Sequence, residues 1–392
     1  MKKKNVLMVH NFYQIGGGEH TVFNNEVELL KNNGHKVITY TRDNKEINNS
    51  LLKKMLLPLT TIWSFKTYFD IKKIIKNEEI DIVHCHNTFP LISPSVYYAV
   101  RKMKIPVVQT IHNFRFLCPN GLFYKNNKIC EKCLTNNNFK EAIKNKCYRN
   151  SKIQTIVVAN MLKFHRFLGT YKKINYIFLT EFNKNKFSKL IDTNGDNIFI
   201  KPNFVDSNKV FGFDNKKLEN KFIFMGRLDE NKGIKELINH WNILDLDFEL
   251  HIYGDGNLRG YVELACEKNK KIKFFGFKSQ KDIFNDLSTS FGLIFPSIWY
   301  EGFPMTITEC LALGKPVLST NIGNQCSILK SSNGGLTYKY DDFISFKKSL
   351  KLLIKNNKVY SKNATNYYNK CLSEDNNYEE LISIYEKAKY IK

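Results

Sequence analysis

The sequence predicts an α/β protein of two doubly wound domains that face each other across a cleft. Its 392 residues exceed what one ordinary core accommodates, since domains of about 100–200 residues are typical. Short β-branched runs alternate with amphipathic segments along nearly the whole chain, as in parallel sheets with right-handed helical crossovers. A polar stretch follows Pro202 and Asn203, so the hinge between the domains is expected near residues 203–218.

Each half contributes six candidate strands. In the first half they are predicted at 5–10, 35–41, 80–85, 105–111, 175–180 and 197–201, and in the second half at 221–226, 248–254, 272–277, 291–296, 316–320 and 335–338. Helices between the strands are predicted over 18–33, 93–103, 153–169, 181–190, 233–244, 279–290, 305–313 and 341–356. A last amphipathic segment, 376–391, follows no further strand and is expected to pack back on one of the domains.

The charge of the chain is unevenly distributed. The formal net charge is +23, and residues 1–205 hold 33 lysines and arginines against 14 acidic residues, while residues 206–392 hold 27 against 23. This asymmetry indicates an anionic partner for the first half, either a membrane surface or nucleic acid. Solvated lysines explain any single basic cluster equally well.

The N-terminal run Val6 to Val9 follows three lysines but is shorter than the apolar core of a secretory signal. Nowhere does an apolar stretch of the sequence approach the ~18 residues that a spanning helix needs. We therefore expect a cytoplasmic protein that can rest peripherally on the inner face of a membrane.

Open parallel sheets bind ligands beyond the carboxyl ends of their strands, so residues just after a strand are the site candidates. The first strand leads into Gly16, Gly17 and Gly18, and a helix follows. Glycines let a backbone approach a bulky group, and a helix N-terminus offers N–H groups to an anion. By itself this turn fits a flexible connection as well as a phosphate or sugar site.

Two cations follow the strand at 221–226. Arg227 and Lys232 lie five residues apart, so both can reach one diphosphate, the arginine through its planar fork and the lysine as a point charge. Surface ion pairing with Asp229 and Glu230 is the alternative interpretation.

Two carboxylates follow the strand at 291–296. Glu301 lies on the loop ahead of the helix at 305–313, and Glu309 lies within that helix. Pro304 suits the first helical turn, where free backbone N–H groups can take a phosphate or sugar oxygen. One carboxylate can lie at a sugar while the other binds a ribose diol, although Glu309 can also simply complement the helix N-terminus.

The stretch from Glu301 to Glu309 resembles the E-x7-E motif of the retaining glycosyltransferases of family four, which have the GT-B fold of two Rossmann-like domains. The resemblance extends over most of the chain and is strong because its motifs fall at strand ends in both halves. The other motifs are the glycine turn at 16–18, Thr110-Ile-His112-Asn-Phe-Arg115, Leu179-Thr-Glu181-Phe, Lys201-Pro-Asn203, Gly226-Arg227 with Lys232-Gly233, and Tyr253-Gly-Asp-Gly256.

The resemblance implies that residues 1–204 form an N-terminal acceptor-binding domain, with the helix 376–392 crossing back onto it. Residues 205–375 would form the C-terminal domain that binds the nucleotide-sugar donor. In this interpretation Arg227 and Lys232 hold the diphosphate, Glu309 binds the ribose, and Glu301 and His112 face the transferred sugar. The backbone of Gly302, Phe303, Pro304 and Met305 would contact phosphate and sugar, and Gly16, Gly17 and Gly18 would close over the diphosphate.

The family's chemistry implies retention by front-face attack, in which the departing phosphate deprotonates the acceptor hydroxyl. Asp245 and Asp247 match the D-x-D string of metal-dependent transferases, but they precede a strand and so lie at the wrong end of the sheet. Arg227, Lys232 and the helix terminus can neutralise the leaving group instead, so no catalytic metal is expected.

Four of the nine cysteines lie in the loop between strand 105–111 and helix 153–169: Cys118, Cys130, Cys133 and Cys147. One C-x2-C pair with two outlying cysteines can ligate a structural Zn²⁺ tetrahedrally. Because only one close pair is present, unligated thiols explain the cluster equally well.

Two basic stretches with aromatic residues, 51–76 and 161–173, suit an anionic lipid interface, although each could simply be a helix that covers the sheet. The partners implied are a UDP- or GDP-linked sugar, a glycan or polyprenyl-diphosphate-linked acceptor and an anionic membrane surface, as in surface polysaccharide or lipopolysaccharide synthesis. Two alternatives remain: a phosphorylase or hydrolase of sugar phosphates on the same fold, and a basic nucleic-acid-binding protein.

Overall fold

The computed structural model describes residues 3–14, 17–49, 51–206, 210 and 217–391. In these residues fourteen strands are present. They are β1 (Asn5–Phe12), β2 (Lys36–Asp43), β3 (Ile82–Asn87), β4 (Val107–Ile111), β5 (Tyr124–Lys125), β6 (Lys128–Ile129), β7 (Asn175–Phe178), β8 (Ile198–Ile200), β9 (Lys221–Met225), β10 (Glu249–Tyr253), β11 (Ile272–Gly276), β12 (Gly292–Phe295), β13 (Val317–Thr320) and β14 (Gly335–Tyr338).

Sixteen α-helices accompany the strands in the described part of the chain. They are α1 (Gly18–Asn32), α2 (Leu51–Ile62), α3 (Phe65–Asn77), α4 (Ser95–Lys102), α5 (Lys132–Thr135), α6 (Lys140–Lys144), α7 (Lys152–Phe167), α8 (Glu181–Lys186), α9 (Ile234–Asn242), α10 (Arg259–Lys268), α11 (Gln280–Thr289), α12 (Met305–Ala312), α13 (Gly323–Ser332), α14 (Phe343–Lys355), α15 (Asn357–Tyr367) and α16 (Glu374–Lys387).

The chain divides into two compact units. The first comprises Met1–Phe123, Cys130–Pro202 and Tyr378–Lys392, and the second comprises Tyr124–Ile129 and Asn203–Asn377. The sequence-based division lies close by, between residues 204 and 205, but it places the hairpin of β5 and β6 in the first domain. The hairpin is a short excursion without a pattern of its own, which is why the sequence does not separate it.

The first unit is built on a six-stranded parallel sheet with the order β2-β1-β3-β4-β7-β8. All six residues of β3 are buried, as expected for a strand covered by helices on both faces. Val6, Met8, Ile82 and Val108 form one core with Leu381 and other apolar residues of α16. The C-terminal helix therefore contributes directly to the core of the first unit.

The second unit repeats the arrangement with a six-stranded parallel sheet in the order β11-β10-β9-β12-β13-β14. One core packs Leu237 and Trp241 of α9 against strand residues such as Phe222, and a second core lies around Ile307 and Leu311 of α12. The predicted fold class of two parallel-sheet α/β domains is thus confirmed.

Several helices begin where the sequence supplies a capping side chain. The Ser64 hydroxyl accepts a hydrogen bond from the Thr67 N–H at the start of α3, and Asp342 caps α14 in the same way. The predicted helix 181–190 is shorter than expected: α8 ends at Lys186 and a 3₁₀ turn, Phe187–Lys189, follows.

Candidate functional site

The carboxyl ends of β9 and β12 meet at one edge of the second unit's sheet, because the two strands are parallel neighbours. The loop after β9 carries Lys232, and the loop after β12 carries Glu301. Lys232 Nζ lies 2.7 Å from Glu301 Oε1, and the side chains are only 19% and 11% exposed. Two predicted site residues, 69 positions apart, therefore form one largely buried ion pair.

The Glu301 carboxylate is held through one oxygen. Besides Lys232, its Oε1 accepts hydrogen bonds from Ser297 Oγ at 2.8 Å and from Trp299 Nε1 at 2.6 Å. Asn324 Nδ2 donates to the backbone carbonyl of Glu301. Oε2 has no hydrogen-bond partner among the described residues. A carboxylate fixed through Oε1 can offer Oε2 to a ligand without reorganising.

Ser297, Trp299 and Asn324 are site residues that the sequence reasoning missed. Ser297 and Trp299 belong to the same loop as Glu301, and Asn324 is a fully buried polar residue of α13. The available signal was their position just beyond β12 and β13, the rule that selects Glu301 itself.

Helix α12 begins at Met305, so Pro304 stands immediately before the first helical residue rather than in the first turn. Gly302 and Phe303 precede it on the loop. The first N–H groups of such a helix lack intrahelical acceptors and face outward from its N-terminus. Glu309 lies in the second turn, where its Oε1 accepts a hydrogen bond from Gln280 Nε2 of α11 at 2.8 Å.

Arg227 is not drawn into the Lys232–Glu301 pair. Its side chain is 69% exposed and its guanidinium lies 3.1 Å from Asp229 Oδ2. The predicted alternative of surface pairing thus describes Arg227 as the structure has it. Glu230 pairs with Lys235. A surface arginine with a weakly held partner can still turn toward an incoming diphosphate.

Two glycines of this edge are required by close backbone contacts. Gly233 has φ +70°, and a Cβ there would lie 2.0 Å from the carbonyl oxygen of Pro296. Gly254 has φ +137°, and its Cβ would lie 1.8 Å from the carbonyl oxygen of Gly226. A side chain at Gly233 would therefore push apart the loops that carry Lys232 and Glu301, and one at Gly254 would push the loop after β10 away from the loop that carries Arg227.

The D-x-D string lies at the other end of the sheet. Asp245 and Asp247 come just before β10 begins at Glu249, and Asp247 is an exposed residue whose Oδ1 lies 3.4 Å from Lys271 Nζ. Strand-end geometry therefore places these carboxylates away from Lys232 and Glu301.

In the first unit the turn after β1 leads into α1. Gly17 is extended, with φ −158°, and a Cβ there would meet nothing within 4 Å. Neither the backbone angle nor the packing requires a glycine at position 17. The close approach of a ligand would be a reason for a glycine there. Gly18 begins α1, and Gly16 lies outside the described residues.

His112 follows β4 and is 9% exposed. Its Nε2 lies 2.9 Å from Nδ1 of His86, and the two rings are stacked. Nδ1 of His112 has no protein partner among the described residues. Burial, followed by the neighbouring His86, holds the pKa of His112 well below its usual value, so the ring is neutral near pH 7.

Glu19 of α1 contacts Asn113, the residue after His112, and was also missed by the sequence reasoning. Its Oε2 accepts a hydrogen bond from Asn113 Nδ2 at 3.3 Å, while Oε1 is buried without a partner. Burial raises the pKa of Glu19 to about 7. A carboxyl group that is partly protonated at neutral pH thus lies at the carboxyl end of the first unit's sheet.

Two of the four loop cysteines are buried and the other two are partly exposed. Cys118 and Cys133 are buried, and burial raises the pKa of Cys133 to about 12, with further contributions from the other three thiols. Among the described residues, however, no three cysteine sulfurs lie within 4.8 Å of one another. Structural zinc and unligated thiols both stay predictions, and the zinc content of purified protein would separate them.

Three helices of the first unit, α2, α3 and α7, carry exposed apolar side chains. Met55 and Leu59 of α2, Phe65 and Phe69 of α3, and Phe164 and Phe167 of α7 are exposed, as is Leu168 just beyond α7. Lys54, Lys66, Lys73 and Lys163 are exposed on the same helices. Met161, which the sequence assigns to this surface, is instead buried. We call the exposed residues of these helices the α2/α3/α7 surface.

A cavity of about 380 Å³ lies between α2 and α7. Its walls are mainly apolar, with Leu57, Pro58 and Val157 among them, and Lys54 and Arg149 also line it. None of the helices in the described ranges combines the length and apolar character that a membrane span requires.

The chain is similar to known glycosyltransferases over nearly its full length. Residues 15–152 match the family model described as Glycosyltransferase Family 4, and residues 206–370 match Glycosyl transferases group 1. An uncharacterized glycosyltransferase of Methanocaldococcus jannaschii is 27% identical over 368 residues, which cover 90% of this chain and 89% of the relative.

Two further relatives extend the comparison. The UDP-Gal:alpha-D-GlcNAc-diphosphoundecaprenol alpha-1,3-galactosyltransferase of Escherichia coli is 26% identical, over 89% of this chain and 87% of its own. The crystal structure of a glycosyltransferase from Rickettsia africae superposes with a TM-score of 0.67 at 20% identity and covers 99% of both chains. This last likeness concerns the fold.

Proposed function

We propose that this chain, a group 1 glycosyltransferase of family four with the GT-B fold, moves a hexosyl or N-acetylhexosaminyl group from a nucleotide-diphosphate sugar to a lipid-linked acceptor, with retention of configuration. The observation that carries the proposal is the Lys232–Glu301 ion pair beside the adjacent carboxyl ends of β9 and β12. It places a cation and a preset carboxylate side by side at the carboxyl edge of a parallel sheet, where phosphate-containing ligands bind.

The donor would lie along this edge. Lys232 would bind the diphosphate, and Arg227 would swing from Asp229 to join it. The N–H groups at the start of α12 would take a phosphate oxygen, while Glu309 would bind the ribose hydroxyls. Glu301 Oε2 would accept hydrogen bonds from hydroxyls of the transferred sugar. In the first unit Gly17 and Gly18 would approach the diphosphate, and His112 the sugar.

Negative charge develops on the leaving diphosphate as the bond between the sugar C1 and the phosphate oxygen breaks. Lys232, Arg227 and the helix N-terminus are positive groups that stabilise it without a metal ion. The acceptor oxygen would attack C1 on the same face, and its proton would pass to the departing phosphate oxygen. One bond between C1 and oxygen breaks, one forms, and the leaving diphosphate carries away the acceptor's proton. Because attack and departure occur on the same face, the configuration at C1 is retained.

The acceptor is proposed from the first unit and from the Escherichia coli relative, whose name specifies a diphosphoundecaprenol-linked sugar. The α2/α3/α7 surface combines apolar tips with lysines, which suits an anionic bilayer surface. The cavity between α2 and α7 has apolar walls with two basic residues, as an isoprenoid chain next to a diphosphate would require. Surface polysaccharide synthesis is the process that uses such acceptors.

The donor proposal is tested by thermal shift with UDP, GDP and ADP sugars. One nucleotide series should raise the Tm, because a ligand that binds only the folded state stabilises it by RT ln(1 + [L]/Kd). Acceptor-dependent release of the nucleoside diphosphate should follow, with the product anomer unchanged by NMR. Release of sugar 1-phosphate, or release that needs no acceptor, would instead favour the phosphorylase or hydrolase. A protein that responds to none of the three series would contradict the proposal.

Membrane contact is tested with vesicles of phosphatidylglycerol and phosphatidylcholine. Binding should be strong at low salt and weaken above about 0.15 M salt, because surface charges are then screened. Phe167→Ser, at a side chain that is 89% exposed on α7, should weaken binding, whereas Ile344→Ser, at a similarly exposed residue of the second unit, should not. If both variants lose vesicle binding equally, or if the wild-type protein does not bind at low salt, the proposal that the α2/α3/α7 surface contacts the membrane would be contradicted.

A further inference from the structure

A buried charged cluster lies between α1 and the sheet of the first unit, below His112. Lys201 Nζ lies 2.7 Å from Glu26 Oε1, and both side chains are at most 1% exposed. His84 and His86 of β3 lie beside the same carboxylate: His86 Nε2 is 3.2 Å and His84 Nδ1 is 3.7 Å from Glu26 Oε2. Charges this deep in a core need a specific arrangement to be tolerated.

The cluster is unsuited to a metal ion, although the ligand atoms of Glu26, His84 and His86 lie within 4.8 Å of one another. Lys201 already supplies the cation at Glu26. Both ring nitrogens of His84 are also engaged, Nδ1 with the Tyr385 hydroxyl at 2.8 Å and Nε2 with Thr110 Oγ1 at 2.7 Å. Lys201 and Glu26 therefore balance each other, and a divalent ion would add uncompensated charge.

His86 connects this cluster to His112. One ring nitrogen, Nδ1, lies 2.9 Å from His112 Nε2, while the other, Nε2, faces Glu26. Apart from each other, Glu26 Oε2 and His86 Nε2 have no hydrogen-bond partner in the described part of the chain, and their 3.2 Å approach lacks good hydrogen-bond alignment. A carboxylate can only accept, so the stable arrangement places a proton on His86 Nε2.

The proton on His86 Nε2 determines where the proton between His86 and His112 lies. A neutral His86 protonated on Nε2 has a bare Nδ1, which can only accept a hydrogen bond. His112 Nε2 must then carry the proton that it donates to His86. The other nitrogen of His112, Nδ1, is left as a lone-pair acceptor, and it is the one without a protein partner.

We propose that Glu26 and His86 are positioning residues that fix His112 in its Nε2–H tautomer, so that Nδ1 presents a hydrogen-bond acceptor to a sugar hydroxyl of the donor. This inference rests on the proposed function, since it assigns His112 to the sugar. The assignment of the tautomer itself rests only on the buried chain from Glu26 through His86 to His112.

The surroundings keep His84 and His112 neutral. Burial holds the pKa of His84 and of His112 well below the usual value, in each case with a further contribution from His86. Nearby His10 is fully buried with no hydrogen-bond partner among the described residues, and burial lowers its pKa to about 2. His112 therefore stays in a neutral form near pH 7, so its two ring nitrogens share one proton.

The activity test compares three variants at equal folded fraction. His86→Phe removes the acceptor for His112 and should lower kcat/KM by about 10- to 100-fold, by analogy with the loss of the hydrogen-bond partner that orients a metal-binding imidazole. His86→Asn keeps an oxygen near the position of Nδ1 and should restore most of the activity. The control is His165→Phe, because His165 is a buried, hydrogen-bonded histidine of the same unit that lies outside the cluster. A His86→Phe enzyme as active as wild type would overturn the proposal.

The second test is independent of activity. Long-range ¹⁵N–¹H spectra of ¹⁵N-histidine-labelled wild-type protein should show His112, assigned by its loss in His112→Asn, protonated on Nε2. The double variant Glu26→Gln/Lys201→Met removes both buried charges together and should allow both tautomers. If His112 of the wild-type protein is protonated on Nδ1, Glu26 and His86 do not fix its tautomer as proposed, even if the enzyme is active. If His112 is protonated on Nε2 but the protein transfers no sugar, the positioning role of Glu26 and His86 is supported and only the proposed function is refuted.

Discussion

Replacing Lys232 with methionine is expected to lower kcat/KM for the nucleotide sugar by about 100-fold or more, since loss of one preset group at a developing charge typically costs that much. The methionine keeps the length of the side chain and its packing on Trp299 but removes the ammonium group. The diphosphate then lacks its most enclosed cation, and Glu301 loses one of the three donors to Oε1. Steady-state release of nucleoside diphosphate measures the effect.

The matched control is Lys235→Met, because Lys235 is a half-exposed lysine in the first turn of α9 that pairs with Glu230. Its kcat/KM should stay within about twofold of wild type, as is usual for surface pairs. Comparing Glu301→Gln with the double variant Lys232→Met/Glu301→Gln separates two roles of Lys232. If Lys232 served only as the counter-ion of Glu301, its loss would have no effect once that charge is gone, and the two variants would be equally active. We expect the double variant to be less active than Glu301→Gln, because the diphosphate would still lack its cation.

Glu26→Gln is expected to lower the free energy of unfolding of the first unit by about 3–5 kcal/mol, since it removes the buried negative charge that balances the ammonium of Lys201. Burial alone would raise the pKa of Glu26, but attraction to Lys201 and contact with His86 outweigh it and hold the pKa well below 4.5. The charged carboxylate therefore stabilises the fold above pH 4.5. This contribution declines as the pH falls toward the folded-state pKa, so the gap between wild type and Glu26→Gln should narrow in acid.

Trp63 can report on the first unit alone, because the other two tryptophans, Trp241 and Trp299, lie in the second unit. Urea unfolding followed by fluorescence in a Trp241→Phe/Trp299→Phe background therefore measures the effect of Glu26→Gln. The charge-free pair Glu26→Gln/Lys201→Met should recover most of the lost stability. A single variant as stable as the parent would show that Lys201 finds water or another acceptor.

The strands were predictable because buried parallel strands are short β-branched runs with clear ends, and each predicted strand overlaps an observed one. Helices with weak patterns were not. The apolar pattern of α13 is interrupted by polar residues that face the site, such as Asn324. Helix α15 has only two buried residues, so its pattern is weak as well. The segment 51–76 reads as one basic stretch, yet it forms two helices: α2 ends at Ile62, and Ser64 caps the start of α3.

Lys232 and Glu301 were predicted as site residues by a single rule, because both lie just after strands. Their contact also required that those two strands be neighbours in the sheet, which the strand order decides. The Glu26–His86 cluster could not be found in this way. Its members come from α1, from β3 and from the residue after β8, which are far apart in the sequence and meet only in the folded unit. The available signal was two histidines, His84 and His86, in a strand with no exposed residue.

The contacts of Gly233 and Gly254 restrict how this enzyme can diverge or be engineered. Each glycine abuts the backbone of a neighbouring loop, so a side chain at either position would disturb both loops together rather than adjust one contact. In a deep mutational scan these two positions should tolerate almost no substitution whichever sugar is supplied. Changes of sugar preference should instead accumulate at side chains that the loops carry, while the loop backbones stay fixed.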